Sequence, residues 1–110
     1  MTIDSLKAFG ANTEEGLERC MGMEDFYLEM IELGISDERF DNLGGFLKDG
    51  NLDEAFETVH ALKGVIGNLA LTPLYETINE ITEHLRARES MDYGPLYEKL
   101  ISQRDAIRNL

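Results

Sequence analysis

The chain has no tryptophan, two prolines and a single cysteine in 110 residues. One thiol, Cys20, excludes an internal disulfide and any cysteine-rich zinc site. Cys20 has no histidine near it in sequence and shares an apolar stripe with Leu17, so an inert buried thiol is expected there. Positive charge is also scarce, with 10 Lys and Arg against 22 Asp and Glu and a net charge of -12. A nucleic-acid backbone or an anionic membrane surface calls for basic patches, so neither is an expected partner. No apolar run approaches the roughly 20 residues that cross a bilayer. The opening Met1-Thr2-Ile3-Asp4-Ser5-Leu6-Lys7 lacks the basic and apolar regions of a secretory signal. The expected setting is the cytoplasm. What is present is 43% apolar and 29% charged residues, an ordinary composition for one globular domain over residues 1–110.

No β-branched alternating run occurs, and the apolar residues follow helical spacing. The expected fold is all-α: an antiparallel four-helix bundle with one or two short N-terminal helices, and a monomer. A short amphipathic segment, Ile3 to Phe9, stops at Gly10. Asn12 followed by Glu15 has the capping-box pattern and opens a helix through Leu17 and Cys20, which Gly22 breaks. Phe26, Met30 and Leu33, with Tyr27 and Ile31 beside them, mark the next helix. Ser36 is the expected cap of a helix carrying Phe40, Leu43 and Leu47, closed by Asp49-Gly50. Asn51 with Glu54 starts the longest helix, which runs to about Leu69. Thr72-Pro73 supplies a cap and a proline at the first helical position, before Leu74, Ile78, Ile81 and Leu85. Gly94-Pro95 precedes a last helix with Leu96, Leu100, Ile107 and Leu110. Short connections make consecutive long helices antiparallel neighbours.

The segment from Asn51 to Leu69 carries the chemistry. Leu52, Ala55, Val59, Leu62, Ile66 and Leu69 form one core stripe. At about 100° per residue, His60 lies roughly 140° from the middle of that stripe and points outward. Phe56 is one turn before it, Gly64 and Gly67 are one and two turns after, and Lys63 is on its flank. Each glycine inside a helix costs about 1 kcal/mol relative to alanine. Two of them beside an exposed histidine keep that surface bare for something bulky. A neutral nucleophilic ring nitrogen, an adjacent ammonium and cleared space suit transient phosphorylation of His60.

The run His60-Ala61-Leu62-Lys63-Gly64, continuing Val65-Ile66-Gly67-Asn68-Leu69, resembles the motif of histidine-containing phosphotransfer (HPt) domains. Asp53, Ala55, Glu15-Gly16-Leu17, Arg19 and the Phe26-Tyr27 pair also match positions common in that family. The resemblance implies a four-helix bundle that relays phosphoryl groups between receiver aspartates. It makes His60 the phosphoacceptor, Lys63 a support for the phosphoryl group and Gly64 the clearance for a docking partner. Phe56, Gly67 and Asn68 are the expected partner-docking residues. Two positions depart from the family pattern: Ile66 stands where Ala or Ser is usual, and Ala70 where Gly is usual. The Gln or Glu that the family often places on the following helix is replaced by Asn79 and Thr82, candidate polar supports with shorter reach.

Competing constellations are weaker. Glu57 and His60 make one Glu-x-x-His element, but Glu80 and His84 are four apart, so no paired di-metal motif forms and no metal site is expected. His84 near a helix end suits a cation stabilised by the helix dipole. The scattered Met21, Met23, Met30 and Met91 are expected to fill the core. Gly44-Gly45 lacks the Lys-Ser/Thr ending of a phosphate loop, so no ATP-dependent kinase activity is expected. The expected partners are response-regulator receiver domains and a sensor or hybrid histidine kinase. The chain needs no cofactor of its own, and the Mg²⁺ of such transfers belongs to the receiver. The alternative is a helical adaptor that binds a receiver or kinase without accepting phosphate.

Overall fold

A computed structural model describes residues 1–110, and its regular structure is entirely helical. The helices are α1 (Ile3–Phe9), α2 (Thr13–Arg19), α3 (Glu24–Ile35), α4 (Arg39–Lys48), α5 (Leu52–Asn68), α6 (Thr72–Arg86) and α7 (Gly94–Arg108). Helices α4, α5, α6 and α7 pack as sequential neighbours, and α4 closes against α7. Helix α3 rests on α5 and α7, the same two helices that α4 touches. One side of the bundle is therefore built from two pieces, α3 and α4, and the short N-terminal helices are α1 and α2.

The ends of these helices follow from local chemistry. The Asn12 and Asn51 side chains accept from the backbone N–H of Glu15 and Glu54 at 3.2 and 3.3 Å, as expected of caps. Ser36 does not cap α4. It ends α3, with its N–H donating to the Glu32 carbonyl, and the Asp37 carboxylate accepts from the Arg39 N–H at 2.9 Å instead. The break between α3 and α4 spans Ser36 to Glu38; Ser36, at φ -92° and ψ 4°, is outside the β region usual for a cap. Thr72 is likewise the first residue of α6 rather than its cap. Leu71 holds that place, with Pro73 still in the first turn.

The core is one cluster. Ala55, Val59, Leu62 and Ile66 of α5 meet Leu74, Ile78, Ile81 and Leu85 of α6, all fully buried, with Phe40, Leu43, Leu100 and Ile107 completing it. Ile66 is thus a core residue, and the larger side chain is absorbed by packing. Gly16 admits the Tyr27 ring, whose hydroxyl donates to the Leu69 carbonyl at 2.7 Å. Cys20 is buried and free, as expected.

Two expectations about apolar residues fail. Met21, Met23 and Met91 are exposed, Met21 to 86%, rather than core fillers. Met21 has a left-handed backbone (φ 57°) in the turn after α2, which carries it away from the bundle. Helix α3 buries Tyr27, Ile31, Gly34 and Ile35, and this choice of face leaves Phe26 and Leu33 exposed and Met30 half-buried. The exposed Phe26 and Leu33 leave apolar surface outside the core.

The turn from α5 to α6 accounts for the other departure. Ala70 sits at φ 56°, in the left-handed region that favours glycine. Its carbonyl accepts from the Asn12 N–H at 2.9 Å, which ties α2 to that turn.

Candidate functional site

Helix α5 presents His60 because its buried stripe leaves that position no other direction. His60 is exposed, and it lines an open groove of about 580 Å³ between α2, α5 and the start of α6. Lys63, Gly64, Gly67 and Asn68 share the groove, so five of the expected residues come together.

The two glycines serve different ends. A β-carbon on Gly64 would meet nothing within 4 Å, so bundle packing does not require this glycine. A β-carbon on Gly67 would lie 3.1 Å from the Tyr75 ring, so this glycine seats a side chain of its own molecule. Lys63 extends over that ring, its Nζ 5.9 Å from the Tyr75 centroid. A cation held over a ring face gains about 0.5–1 kcal/mol at an exposed site, so the ammonium is lightly held.

At the far end of the groove, Asn68 accepts through Oδ1 from the Arg19 guanidinium at 2.9 Å, and the Gly67 carbonyl accepts at 3.5 Å. The other arm of Arg19 pairs with Glu15 at 2.6 Å, with both side chains nearly half exposed. Helix α2 thus furnishes one wall of the groove and satisfies oxygens at the end of α5.

Phe56 lies against His60, with ring centroids 5.6 Å apart and planes at 31°. It is not bare: the Arg86 and Arg88 guanidinium carbons stand 5.3 and 5.1 Å from its centroid. Arg88 donates from Nε to Asp53 at 2.9 Å and from Nη1 to the Leu85 carbonyl. The candidate polar supports on α6 do not line the groove. Thr82 is fully buried and its hydroxyl donates to the Ile78 carbonyl at 2.7 Å, while Asn79 is half-buried. Thr72 and Tyr75 line it instead.

Remaining groups are accounted for outside the groove. His84 Nδ1 pairs with the Glu89 carboxylate at 2.8 Å, past the helix end. No group of three or more His, Cys, Asp or Glu side chains is placed to hold a metal ion. No helix is long and apolar enough to cross a membrane.

The sequence reading missed Glu15 and Arg19 as groove residues, and Arg86 and Arg88 as neighbours of Phe56. The first pair carried a signal, an i,i+4 Glu–Arg match on one helix face. Arg86 and Arg88 reach Phe56 only across the α5–α6 interface and left none.

Helix α5 thus sets an outward histidine, a lysine three residues on, an open glycine at the next turn and a buried leucine between. The family model of the Hpt domain matches residues 33–110. The chain belongs to the Hpt domain family. Hpt domains are phosphocarriers, and membership implies a phosphotransfer role in a phosphorelay. No curated protein and no solved structure matches the chain. Residues 1–32, which supply the α2 wall of the groove, lie outside the matched Hpt segment.

Proposed function

We propose that His60 accepts a phosphoryl group from a receiver-domain aspartate, or from a hybrid kinase, and passes it to the aspartate of a response regulator. The observation that carries this reading is the exposed imidazole on a rigid helix beside the unobstructed surface at Gly64, in a chain of the Hpt family. The neutral ring nitrogen attacks phosphorus, a P–N bond forms, the P–O bond of the acyl phosphate breaks, and the carboxylate leaves. Donation to the next receiver reverses each bond. The partner supplies in-line geometry on docking.

Lys63 supports the phosphoryl group by charge. Its stem is flexible and its hold on Tyr75 is weak, so the ammonium is free to follow an anion on the ring. Gly64 leaves the approach open, and Gly67 and Asn68 border the docking face. Arg19, Lys63, Arg86 and Arg88 all lie in or beside this region, in a chain with only 10 basic residues. Arg19, Arg86 and Arg88 are paired with Glu15, Glu83 and Asp53, so Lys63 is the cation here left to meet an acidic group of a docking partner. The Mg²⁺ that neutralises phosphoryl charge sits in the receiver's acidic pocket. The reading is of a monomer that works in the cytoplasm beside its receivers and does not use ATP directly.

The test is phosphotransfer from a receiver charged with labelled phosphate. The label should appear on the wild-type chain in an acid-labile, base-stable linkage. Docking without any labelling of a folded chain would establish the non-catalytic adaptor instead.

A further inference from the structure

Side chains on a helix lean toward its N-terminus, so the His60 imidazole leans over the turn that carries Phe56. The 5.6 Å separation of the two rings shows this contact. Phe56 is in turn held from the neighbouring helix. Arg86, at the last position of α6, and Arg88, just past its end, both bring guanidiniums to about 5 Å from the ring centroid. Arg88 is fixed at three points: a left-handed backbone (φ 53°), the Asp53 carboxylate 35 residues away, and the Leu85 carbonyl. Arg86 is held more loosely, 3.5 Å from Glu83. A continuous chain of contacts therefore runs from the first turn of α5 through Asp53, Arg88 and Phe56 to His60.

We infer that Phe56 is a positioning residue for His60: with Arg86 and Arg88 on its ring, it closes the N-terminal side of the imidazole. Gly64 leaves the C-terminal side open, so the ring is confined to orientations that face an incoming receiver. An exposed histidine without such a wall spreads over several rotamers, and only a fraction of encounters meets a nitrogen in line with the breaking P–O bond. The clamp contributes no charge to the phosphoryl group. It sets where the nucleophile stands. The inference rests on His60 being the phosphoacceptor, but its geometric half stands without that reading.

The test compares the wild type with Phe56→Leu, Phe56→Tyr and the double variant Arg86→Gln/Arg88→Gln. The Hα–Hβ couplings of His60, which report how far its χ1 is confined to one rotamer, and single-turnover transfer from a charged receiver are read together, with thermal melts as the control for folding. Phe56→Leu should move those couplings toward the averaged values of a free histidine peptide, and slow transfer about tenfold. Phe56→Tyr, which keeps the aromatic face, should restore both. The double variant touches exposed side chains, so it carries the test if Phe56→Leu fails to fold. It should move both readouts in the same direction by a smaller amount.

Unchanged couplings with an unchanged rate, in either variant, overturn the clamp, and so do averaged couplings with an unchanged rate. Slower transfer with unchanged couplings also overturns it, because Phe56 would then touch the partner rather than set the imidazole. If no charged receiver labels the wild type, the phosphoacceptor reading fails. The NMR comparison then still decides whether the clamp exists.

Discussion

Gly64 and Lys63 act on His60 by different physics, and their variants should separate space from charge. A β-carbon on Gly64 meets nothing within 4 Å, so Gly64→Leu starts into open space. Replacing glycine in a helix by a better helix former gains up to about 1 kcal/mol, so its melting temperature should hold or rise. Transfer should nonetheless stop, because a side chain now stands between the imidazole and the receiver. Gly67→Leu should instead lower the melt, since its β-carbon crowds Tyr75. For Lys63, loss of the ammonium should cost about 1–3 kcal/mol in the transfer barrier, roughly tenfold to a hundredfold in rate. Lys63→Arg should keep part of the rate and Lys63→Ala should not, as single-turnover kinetics will show. A third residue, Ala70, holds a left-handed backbone whose cost the burial of its methyl offsets only in part. Ala70→Gly should raise stability by about 0.5–1 kcal/mol, measurable by denaturant titration.

At the scale of elements, α2 and α3 are fastened to the end of α5 by groups whose partners lie more than 40 residues away. The Tyr27 hydroxyl on the Leu69 carbonyl is the buried one of these ties. Burial, then the nearby Cys20 and Glu15 charges, push the Tyr27 pKa up to about 12 from its ordinary 10.0. The folded state thus holds the phenol proton more tightly than the unfolded chain does. That contribution is intact below pH 10 and is lost as pH rises toward 12, on the order of 2 kcal/mol in all. Tyr27→Phe should flatten this alkaline loss of stability, at the expense of one buried hydrogen bond near neutral pH. Urea melts at stepped pH values measure both effects. These ties also mark where sequence reading stops. The α5 stripe, the Asn12 and Asn51 caps and the outward His60 are local matters of spacing and side-chain reach, and they were visible in the chain. The Ser36 cap was not realised because Ser36 closes the last turn of α3, and Asp37, one residue on, accepts from the Arg39 N–H in its place. The buried face of α3 was decided by Gly34 and Tyr27 meeting Leu69, which no single helix reveals.

For the whole molecule, the helical class and the histidine surface were legible because one strongly patterned helix carries both. The rest of the groove was not, because Arg19, Tyr75, Arg86 and Arg88 enter it only through the packing of α2 and α6 on α5. The exposed Phe26 and Leu33 were missed for the same reason: counting apolar residues does not show which ones a two-piece bundle side leaves out. Phe26 and Leu33 border a trough that also reaches Arg19 and Asn68, so apolar surface runs up to the edge of the His60 groove. The architecture thus joins a rigid nucleophile, a cleared approach and an adjoining apolar face on one side of a chain whose remaining surface is acidic.

The central claim, that this side passes phosphoryl groups through His60, is tested most directly by labelling from a charged receiver in wild type, His60→Gln and His84→Gln. The account predicts an acid-labile, base-stable label on the wild type and on His84→Gln, none on His60→Gln, and discharge of the label to a second receiver. Label persisting on folded His60→Gln, or a linkage that base removes and acid spares, would contradict it.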